Sequence, residues 1–133
     1  MKVIVHVDGG SRGNPGPAAG AAVLTSADGE LLSMDSALLG VATNNVAEYK
    51  GLLLGLERAH ALGAREVEII GDSELVARQL TGAYKVKHPQ LRPLYEQALS
   101  ALRGFDRWSI RSVPREQNAD ADALVNAALD GAR

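Results

Sequence analysis

The sequence predicts a single mixed α/β domain whose secondary-structure elements follow the order βββαβααβα. Its N-terminal third alternates apolar and polar residues between clusters of turn formers, a pattern typical of strands. From Thr43 onward, stretches with helical periodicity alternate with short apolar runs. A chain of 133 residues has room for one domain, and it contains no internal repeat or low-complexity linker. We therefore expect one domain over residues 1–133, with a five-stranded mixed sheet flanked by helices.

The first three strands are predicted at residues 3–8, Ala18–Thr25 and Glu30–Leu39. The segment GGSRGNPGP, dense in turn formers, connects the first two strands, and Ser26–Gly29 forms the second turn. Because both connections are short, these three strands are expected to form an antiparallel meander.

The first helix is predicted to begin near Thr43 and to end at Gly63. Glu48 shares a helical stripe with Leu52 and Gly55, so its side chain should lean toward the protein rather than toward water. A glycine in the middle of a helix costs about 1 kcal/mol relative to alanine. We therefore expect the helix to cross another backbone closely at Gly55.

The second half of the chain alternates strands and helices. A strand that follows a helix pairs in parallel with its predecessor, so these strands should extend the sheet in parallel. The predicted elements are a strand at Glu66–Gly71, helices at Ser73–Leu80 and Gln90–Leu102, a strand at Trp108–Val113 and a last helix at Asn118–Leu129.

Composition restricts the location and the class of the protein. The absence of cysteine excludes disulfides and thiolate metal sites, and it predicts a reducing compartment, the cytoplasm. No secretory leader opens the sequence, and no apolar run approaches the roughly 20 residues of a membrane span. The net charge of −2 argues mildly against a nucleic-acid binder. Four acids neutralised by cations would leave 14 basic and 12 acidic residues (16 − 4), so the charge decides little.

Four carboxylates lie at element ends that an α/β sheet can bring together. Asp8 ends the first strand, Glu48 lies in the first turn of the first helix, Asp72 ends the fourth strand and Asp122 opens the last helix. Strand ends and helix N-termini gather on one rim of such a sheet. Crowded carboxylates either become protonated or bind cations, and oxygen ligands suit Mg²⁺. The pattern predicts a divalent-metal site, of which a two-metal nuclease is one form.

Each carboxylate also has a purely structural interpretation. Asp8 could begin a turn, and Glu48 could close a capping box with Asn45 as N-cap. Asp72 could cap the following helix, and Asp122 could complement the dipole of the last helix. One shared site explains all four positions together, so we favour it.

Two polar segments offer hydrogen-bond donors to a phosphate or a sugar. The glycine-rich segment lacks the Lys-Ser/Thr ending of a Walker loop and the spacing of a dinucleotide fingerprint, and no helix follows it. Asn14 in that segment lies between glycines, where a nucleic-acid backbone could approach. Thr43, Asn44 and Asn45 present further donors at a helix N-terminus.

Four blocks of the sequence resemble the signature of type 1 ribonuclease H. They are VDGGSRGNPGPAA, TNNVAEYKGLLLGL, IIGDSELVARQL and VPREQNADADAL, and they occur in the order found in that family. The ending is similar to the compact bacterial and archaeal-like branch, which includes the N-terminal domain of actinobacterial ribonuclease H–phosphatase fusions. The resemblance implies a ribonuclease H-like fold. It also implies hydrolysis of the RNA strand of RNA/DNA hybrids with two Mg²⁺ ions, for which Mn²⁺ could substitute.

The resemblance also assigns residues. It implies that Asp8, Glu48, Asp72 and Asp122 are catalytic and hold the ions. The substrate-contacting residues that it implies are Gly9, Gly10, Asn14, Thr43, Asn44, Asn45, Lys85, Lys87 and Arg115. A monomer is expected, and the sequence leaves open whether the domain is fused to a C-terminal domain in a longer protein.

The sequence departs from the family pattern twice. Many members carry a histidine in the loop before the last helix, where this chain has Ser112, and Arg115 is the nearest substitute. The basic protrusion of other members shrinks here to residues 84–89, which predicts weaker hybrid binding and stronger salt sensitivity. Three alternatives stay open: a silent hybrid- or double-stranded-RNA-binding module, another nuclease of this superfamily such as an exonuclease or resolvase, and a structural α/β domain.

Overall fold

The secondary-structure elements occur in the predicted order in the computed structural model, which describes residues 1–131. A single turn of 3₁₀ helix, Arg115–Asn118, precedes the last helix. The elements are β1 (Lys2–Ser11), β2 (Gly16–Ser26), β3 (Leu31–Ala42), α1 (Asn44–Ala61), β4 (Glu66–Gly71), α2 (Glu74–Leu80), α3 (Arg92–Leu102), β5 (Arg107–Ser112) and α4 (Ala119–Gly131).

The five strands form one sheet in the order β3-β2-β1-β4-β5. β1 pairs antiparallel with β2 and parallel with β4, while β2–β3 is antiparallel and β4–β5 is parallel. The predicted five-stranded mixed sheet is therefore confirmed. β1 lies at its centre, where residues carried by this strand meet both halves of the fold.

Helices cover both faces of the sheet. On one face, Val5 and Val7 of β1 pack with Leu52 and Leu56 of α1 in the main hydrophobic core. On the other face, α4 packs its Val125 and Leu129 against Ala19 and Ala21 of β2. Because alanine side chains are short, α4 lies close to the sheet there. Within residues 1–131, none of the helices has the length and apolar character needed to cross a membrane.

The predicted end of β1 is wrong. β1 continues past Asp8 to Ser11 and stays paired with β2 as far as Ser11 and Ala18. Only residues 12–15 of the glycine-rich segment form the connection to β2. Glycine favours turns, but Gly9 and Gly10 are strand residues here.

Other element bounds differ by a few residues. β3 runs to Ala42 rather than Leu39, α3 begins at Arg92, and β5 covers Arg107–Ser112. Asn118 belongs to the 3₁₀ turn, so α4 begins one residue later than predicted.

Candidate metal centre

Three of the four predicted carboxylates meet at one point of the sheet rim. One oxygen from each of Asp8, Glu48 and Asp72 lies within 4.8 Å of the other two. Asp8 is buried, while Glu48 and Asp72 are half-buried. Asp8 lies in β1 and Glu48 in α1, while Asp72 follows the last residue of β4 rather than ending the strand as predicted. Asp8 and Asp72 are 64 positions apart in the sequence (72 − 8), so the fold creates the cluster.

The parallel pairing of β1 and β4 explains how Asp8 and Asp72 come together. This pairing ends at His6 and Ile70, and β1 continues beyond it with β2 alone. Asp8 and Asp72 each follow the last paired residue of their strand by two positions. They are therefore adjacent at the carboxyl ends of two neighbouring parallel strands, the place where open α/β sheets bind ligands.

Two glycines let α1 press against β1 and bring Glu48 to this rim. A Cβ on Gly9 would lie 2.1 Å from the carbonyl oxygen of Ala47, and a Cβ on Gly51 would lie 2.2 Å from that of Asp8. Neither distance is tolerable for a real side chain. The Glu48 carboxyl then accepts a hydrogen bond from the Gly9 amide at 3.3 Å.

The expectation that α1 crosses another backbone closely at Gly55 is wrong. A Cβ there would meet the side chains of Val5 at 2.7 Å and Val7 at 2.9 Å, not a backbone. The close backbone crossing is one turn earlier, at Gly51. Sequence periodicity places both glycines on the buried side of α1 but does not say which one meets the strand.

The capping interpretations of Glu48 and Asp72 are also wrong. Thr43 is the N-cap of α1, and its hydroxyl accepts from the Val46 amide at 3.2 Å. Glu48 is thus beyond the first turn and reaches Gly9 instead. Ser73 is the N-cap of α2, accepting from the Val76 amide at 3.2 Å, which leaves the Asp72 carboxylate for the cluster.

Asp122 faces the same cavity but stands apart from the triad. It lies in the first turn of α4, and its carboxylate accepts a 3.5 Å contact from Asn126. A cavity of about 440 Å³ is lined by all four carboxylates. The geometry therefore brings the four predicted acids to one cavity, three of them in mutual contact range.

A residue that the sequence did not single out connects Asp122 to β1. Asn118 is 1% exposed, and its Nδ2 donates to the Val7 carbonyl at 2.8 Å. This bond attaches the turn before α4 to the strand residue next to Asp8. Its signal in the sequence is an asparagine four positions before Asp122, inside a block that the resemblance already contained.

Burial and mutual repulsion perturb the two most enclosed carboxyls. Burial, with the charge of Asp72, raises the pKa of Asp8 to about 7. Burial, with the charge of Asp8, raises the pKa of Glu48 to about 9. Without a cation, Glu48 is therefore protonated at neutral pH and hydrogen-bonds to Asp8. Such a site gains from a cation that neutralises the charges.

Arg115 lies in the same cavity. Its Nε is 3.5 Å from the Asp72 carboxylate, while three quarters of its side chain is exposed (75%). An exposed ion pair of this kind contributes little to stability. The guanidinium can therefore leave its ion pair with Asp72 and bind an anionic ligand instead.

Hydrogen bonds within the protein hold the side chains of the predicted amide donors Asn14 and Asn44. The Asn44 side-chain oxygen accepts from the Ser11 amide at 2.9 Å and from its hydroxyl at 3.0 Å. The Asn14 side-chain oxygen accepts from the Asn44 amide at 3.1 Å. With their oxygens engaged inside the protein, both asparagines keep their Nδ2 groups as donors to a ligand.

The remaining predicted contacts divide between the site and other surfaces. Gly9, Gly10 and Asn45 line the carboxylate cavity. Thr43 instead borders a separate cavity of about 400 Å³ between β3, α1 and α3. Lys85 and Lys87 border a third cavity, of about 510 Å³, beside α3.

Besides Asn118, which lies outside the carboxylate cavity, sequence reasoning missed several residues of the cavity wall. Arg12 closes one side, since its guanidinium is 2.6 Å from the Asp130 carboxylate and 3.5 Å from the Asn126 carbonyl. The polar residues of the wall that had not been predicted are Ser11, Arg12, Ser73 and Asn126. Their signals are weak, because serine, arginine and asparagine are common on any surface.

The donor set fits a divalent cation. Three carboxyls within 4.8 Å supply hard oxygen ligands. Burial, together with the negative charges nearby, raises the pKa of Asp8 and of Glu48, which a bound cation would offset. A sheet of order β3-β2-β1-β4-β5 with this cluster at its rim defines a ribonuclease H-like domain.

Comparisons with known proteins specify the family. Residues 6–128 match the family described as Reverse transcriptase-like. The chain is 50% identical over 131 residues to Ribonuclease HI of Halobacterium salinarum, covering 98% of this chain and 66% of that protein. The crystal structure of RNase H1 from that archaeon superimposes with a TM-score of 0.96 at 49% identity, covering 98% and 99% of the two chains.

Two further relatives agree. The N-terminal RNase H domain of a Mycobacterium tuberculosis protein gives a TM-score of 0.95 at 48% identity, covering 97% of this chain and 99% of that one. LC11-RNase H1 in complex with an RNA/DNA hybrid gives 0.93 at 42% identity, covering 98% of each chain. The chain belongs to the type 1 ribonuclease H family, as its signature blocks indicated. It spans about a third (36%) of the length of the mycobacterial relatives that it matches.

Proposed function

We propose that this chain is an endonuclease that hydrolyses the RNA strand of RNA/DNA hybrids. The observation that carries the proposal is the carboxylate triad Asp8, Glu48 and Asp72, set at the carboxyl ends of two parallel strands. A relative of the same fold, LC11-RNase H1, has been crystallised with an RNA/DNA hybrid. The products would be 5′-phosphate and 3′-hydroxyl ends.

Two Mg²⁺ ions are the proposed cofactors, with Mn²⁺ as a substitute. Asp8, Glu48, Asp72 and Asp122 would hold them, since all four line one cavity. When bound, the ions supply an activated water and charge stabilisation at the leaving 3′-oxygen. The chain itself contributes order: Gly9 holds the Glu48 carboxyl at 3.3 Å, and Asn118 holds the segment that carries Asp122.

The polar groups next to the triad are proposed to bind the hybrid. Asn14 and Asn44 present ordered amide donors, and Gly10 and Asn45 line the approach to the triad. Donors and acceptors near Glu48 would read the 2′-hydroxyl, which distinguishes RNA from DNA. Sequence preference should be small because such contacts reach the backbone rather than base edges.

Arg115 is proposed to take the place of the loop histidine that the sequence lacks. Its guanidinium already lies 3.5 Å from Asp72 at the open side of the cavity. From there its guanidinium, a planar fork of hydrogen-bond donors, can contact a phosphate oxygen of the RNA strand. Lys85 and Lys87 would add a weaker phosphate contact farther from the triad.

The deciding experiment compares three labelled substrates: RNA/DNA hybrid, double-stranded RNA and duplex DNA. Each is incubated with the chain and Mg²⁺, Mn²⁺ or chelator. The proposal expects internal cuts in the RNA strand of the hybrid with either metal and none with chelator. Binding of the hybrid without cleavage would favour the silent binding module, and cuts starting only from strand ends would favour an exonuclease.

Two further proposals concern the location of the protein and its full length. We place the protein in the cytoplasm on the basis of its cysteine-free sequence. The mycobacterial relatives are almost three times as long as the aligned region, and one of them is named a bifunctional protein. This supports a fused C-terminal domain in the full-length protein, and western blotting of native extracts would reveal its size.

A further inference from the structure

The edge strand β3 carries a row of exposed apolar side chains. Seven large hydrophobic residues are strongly exposed among residues 1–131, and four of them lie in this one strand. This apolar stripe consists of Leu31 (54% exposed), Met34 (51%), Leu38 (57%) and Val41 (74%). Single exposed apolar residues need no explanation, but a contiguous row on an unpaired strand does.

All four stripe residues project from the same face of the sheet. Met34 is paired with Val23 and Leu38 with Ala19, and Ala19 packs under α4. Register shifts near both ends of the β2–β3 ladder keep the outer two members on that face. Their partners in β2 are Thr25 for Leu31 and Pro17 for Val41.

β3 carries the protection of an edge strand on one face only, where Asp35 points toward α1. Natural edge strands carry lysine, proline or inward-pointing charge that prevents pairing with another chain. β3 reads LLSMDSALLGVA, with Asp35 as its one charged residue. Asp35 pairs with Ala22, whose side chain packs in the α1 core, and it forms an ion pair with Arg58 at 3.2 Å. The stripe face is thus uncharged along its whole length.

The order of residues along β3 is self-complementary. If two copies of β3 run antiparallel about a two-fold axis through Ser36, position i faces position 72 − i of the other copy. Met34 then faces Leu38 of the second copy, and Leu31 faces Val41. Every stripe residue meets another stripe residue. We propose that the chain forms a symmetric dimer by antiparallel pairing of β3 with β3 of a second copy.

The area is sufficient for a specific but reversible dimer. From the exposed fractions, the stripe presents roughly 400 Å² in each protomer, a patch as large as those that usually have a function. With the paired backbones, the interface reaches roughly 1,000 Å² in total, near the lower limit for specific association. The dimer should therefore dissociate in the micromolar range, in contrast to the monomer expected from the sequence.

The stripe is separate from the candidate metal centre. None of its four residues is among the described residues that line the carboxylate cavity. Dimerisation can therefore be tested without altering a residue of the proposed catalytic machinery.

Sedimentation velocity of the whole chain, from about 1 to 200 μM, tests the association. The proposal expects a rise from monomer to dimer mass across this range. Met34→Glu alone and Leu38→Lys alone should each stay monomeric, because each places a charge against an apolar side chain. An equimolar mixture of the two variants should dimerise, since glutamate at 34 then faces lysine at 38. Leu62→Lys, at an exposed position on the end of α1, is the control and should dimerise like the unaltered chain.

The two-fold axis has a second, covalent test. The chain contains no cysteine, so S36C introduces the single thiol of the molecule. Directly opposed strand residues have Cβ atoms about 5 Å apart, close enough for a disulfide. In a glutathione buffer S36C should cross-link, whereas S100C, on the exposed side of α3, should not. A monomer at every concentration, a mixture that fails to associate, or equal cross-linking of S36C and S100C would each overturn the proposal.

Discussion

Replacing Glu48 by glutamine should make the metal-free protein more stable at alkaline pH, and the size of the effect follows from the crowding of the triad. The carboxyl is buried beside Asp8, which raises its pKa from 4.5 to about 9. Glutamine has the same shape, can still accept from the Gly9 amide, and carries no charge. It can also donate to Asp8, so the hydrogen bonds of the protonated carboxyl are kept.

The sign of the pH dependence follows from the raised pKa values of Asp8 and Glu48. A raised folded-state pKa means that the folded protein holds protons that the unfolded chain has released. Stability from these groups is complete below their unfolded pKa values, near 4, and is lost as pH rises through about 7 for Asp8 and about 9 for Glu48. The metal-free protein should therefore lose stability steadily from pH 5 to pH 8.

The magnitude can be bounded. One extra proton held by the folded state changes the free energy of unfolding by about 1.4 kcal/mol per pH unit. Three units give an upper limit of about 4 kcal/mol for Glu48 alone. Because water and salt reach this open cavity, on the order of 2 kcal/mol is the expected loss, and Glu48→Gln should remove it.

Urea denaturation in chelator at pH 5, 6, 7 and 8 measures these free energies directly. The unaltered chain should show a falling free energy of unfolding, and Glu48→Gln a clearly shallower fall. Glu57→Gln, at an exposed position of the same helix, is the matched control and should follow the unaltered chain. A stability independent of pH, or the same slope in Glu48→Gln as in the control, would refute the account of charge crowding.

Three further predictions concern individual contacts. Asp72→Asn should abolish cleavage of the hybrid in Mg²⁺ while circular dichroism and thermal unfolding show an intact fold; retained cleavage would contradict its role as a ligand. Asn118→Ala breaks the buried 2.8 Å bond to the Val7 carbonyl, so urea denaturation should show a loss of about 1–3 kcal/mol. Asn118→Ala should also weaken Mn²⁺ binding by calorimetry, and an unchanged affinity would mean that the bond does not position Asp122. Gly51→Ala forces a Cβ to 2.2 Å from the Asp8 carbonyl oxygen, so α1 must shift and the melting temperature must fall. Gly63→Ala has open space around it and causes no clash; its loss of stability comes instead from the left-handed φ of 77°.

The sequence predicted the order of elements and the sheet because its periodicities were unambiguous. It also predicted that the four acids would share one rim, since carboxyl ends of parallel strands and nearby helix starts must meet there. The sequence-based prediction failed where one residue type can serve two structural roles. Gly9 and Gly10 look like turn formers, but Gly9 is a strand residue whose missing side chain admits α1.

The caps illustrate the same limit. Asn45 and Thr43 are both good N-cap residues, and local sequence does not choose between them. Thr43 is the N-cap because its hydroxyl accepts a hydrogen bond from the Val46 amide. The Glu48 carboxyl is then available to accept one from the Gly9 amide of β1. Asn118 could not be recognised from sequence because its role depends on a backbone carbonyl 111 positions away.

The central claim is that the four acids hold the ions with which RNA is cut. Anomalous diffraction from crystals of the unaltered chain soaked in Mn²⁺ tests it most directly. The account predicts scattering peaks inside the cavity within bonding distance of Asp8, Glu48, Asp72 and Asp122. A chain that cleaves hybrid in Mn²⁺ solution but shows its metal peaks only elsewhere on the surface would contradict it.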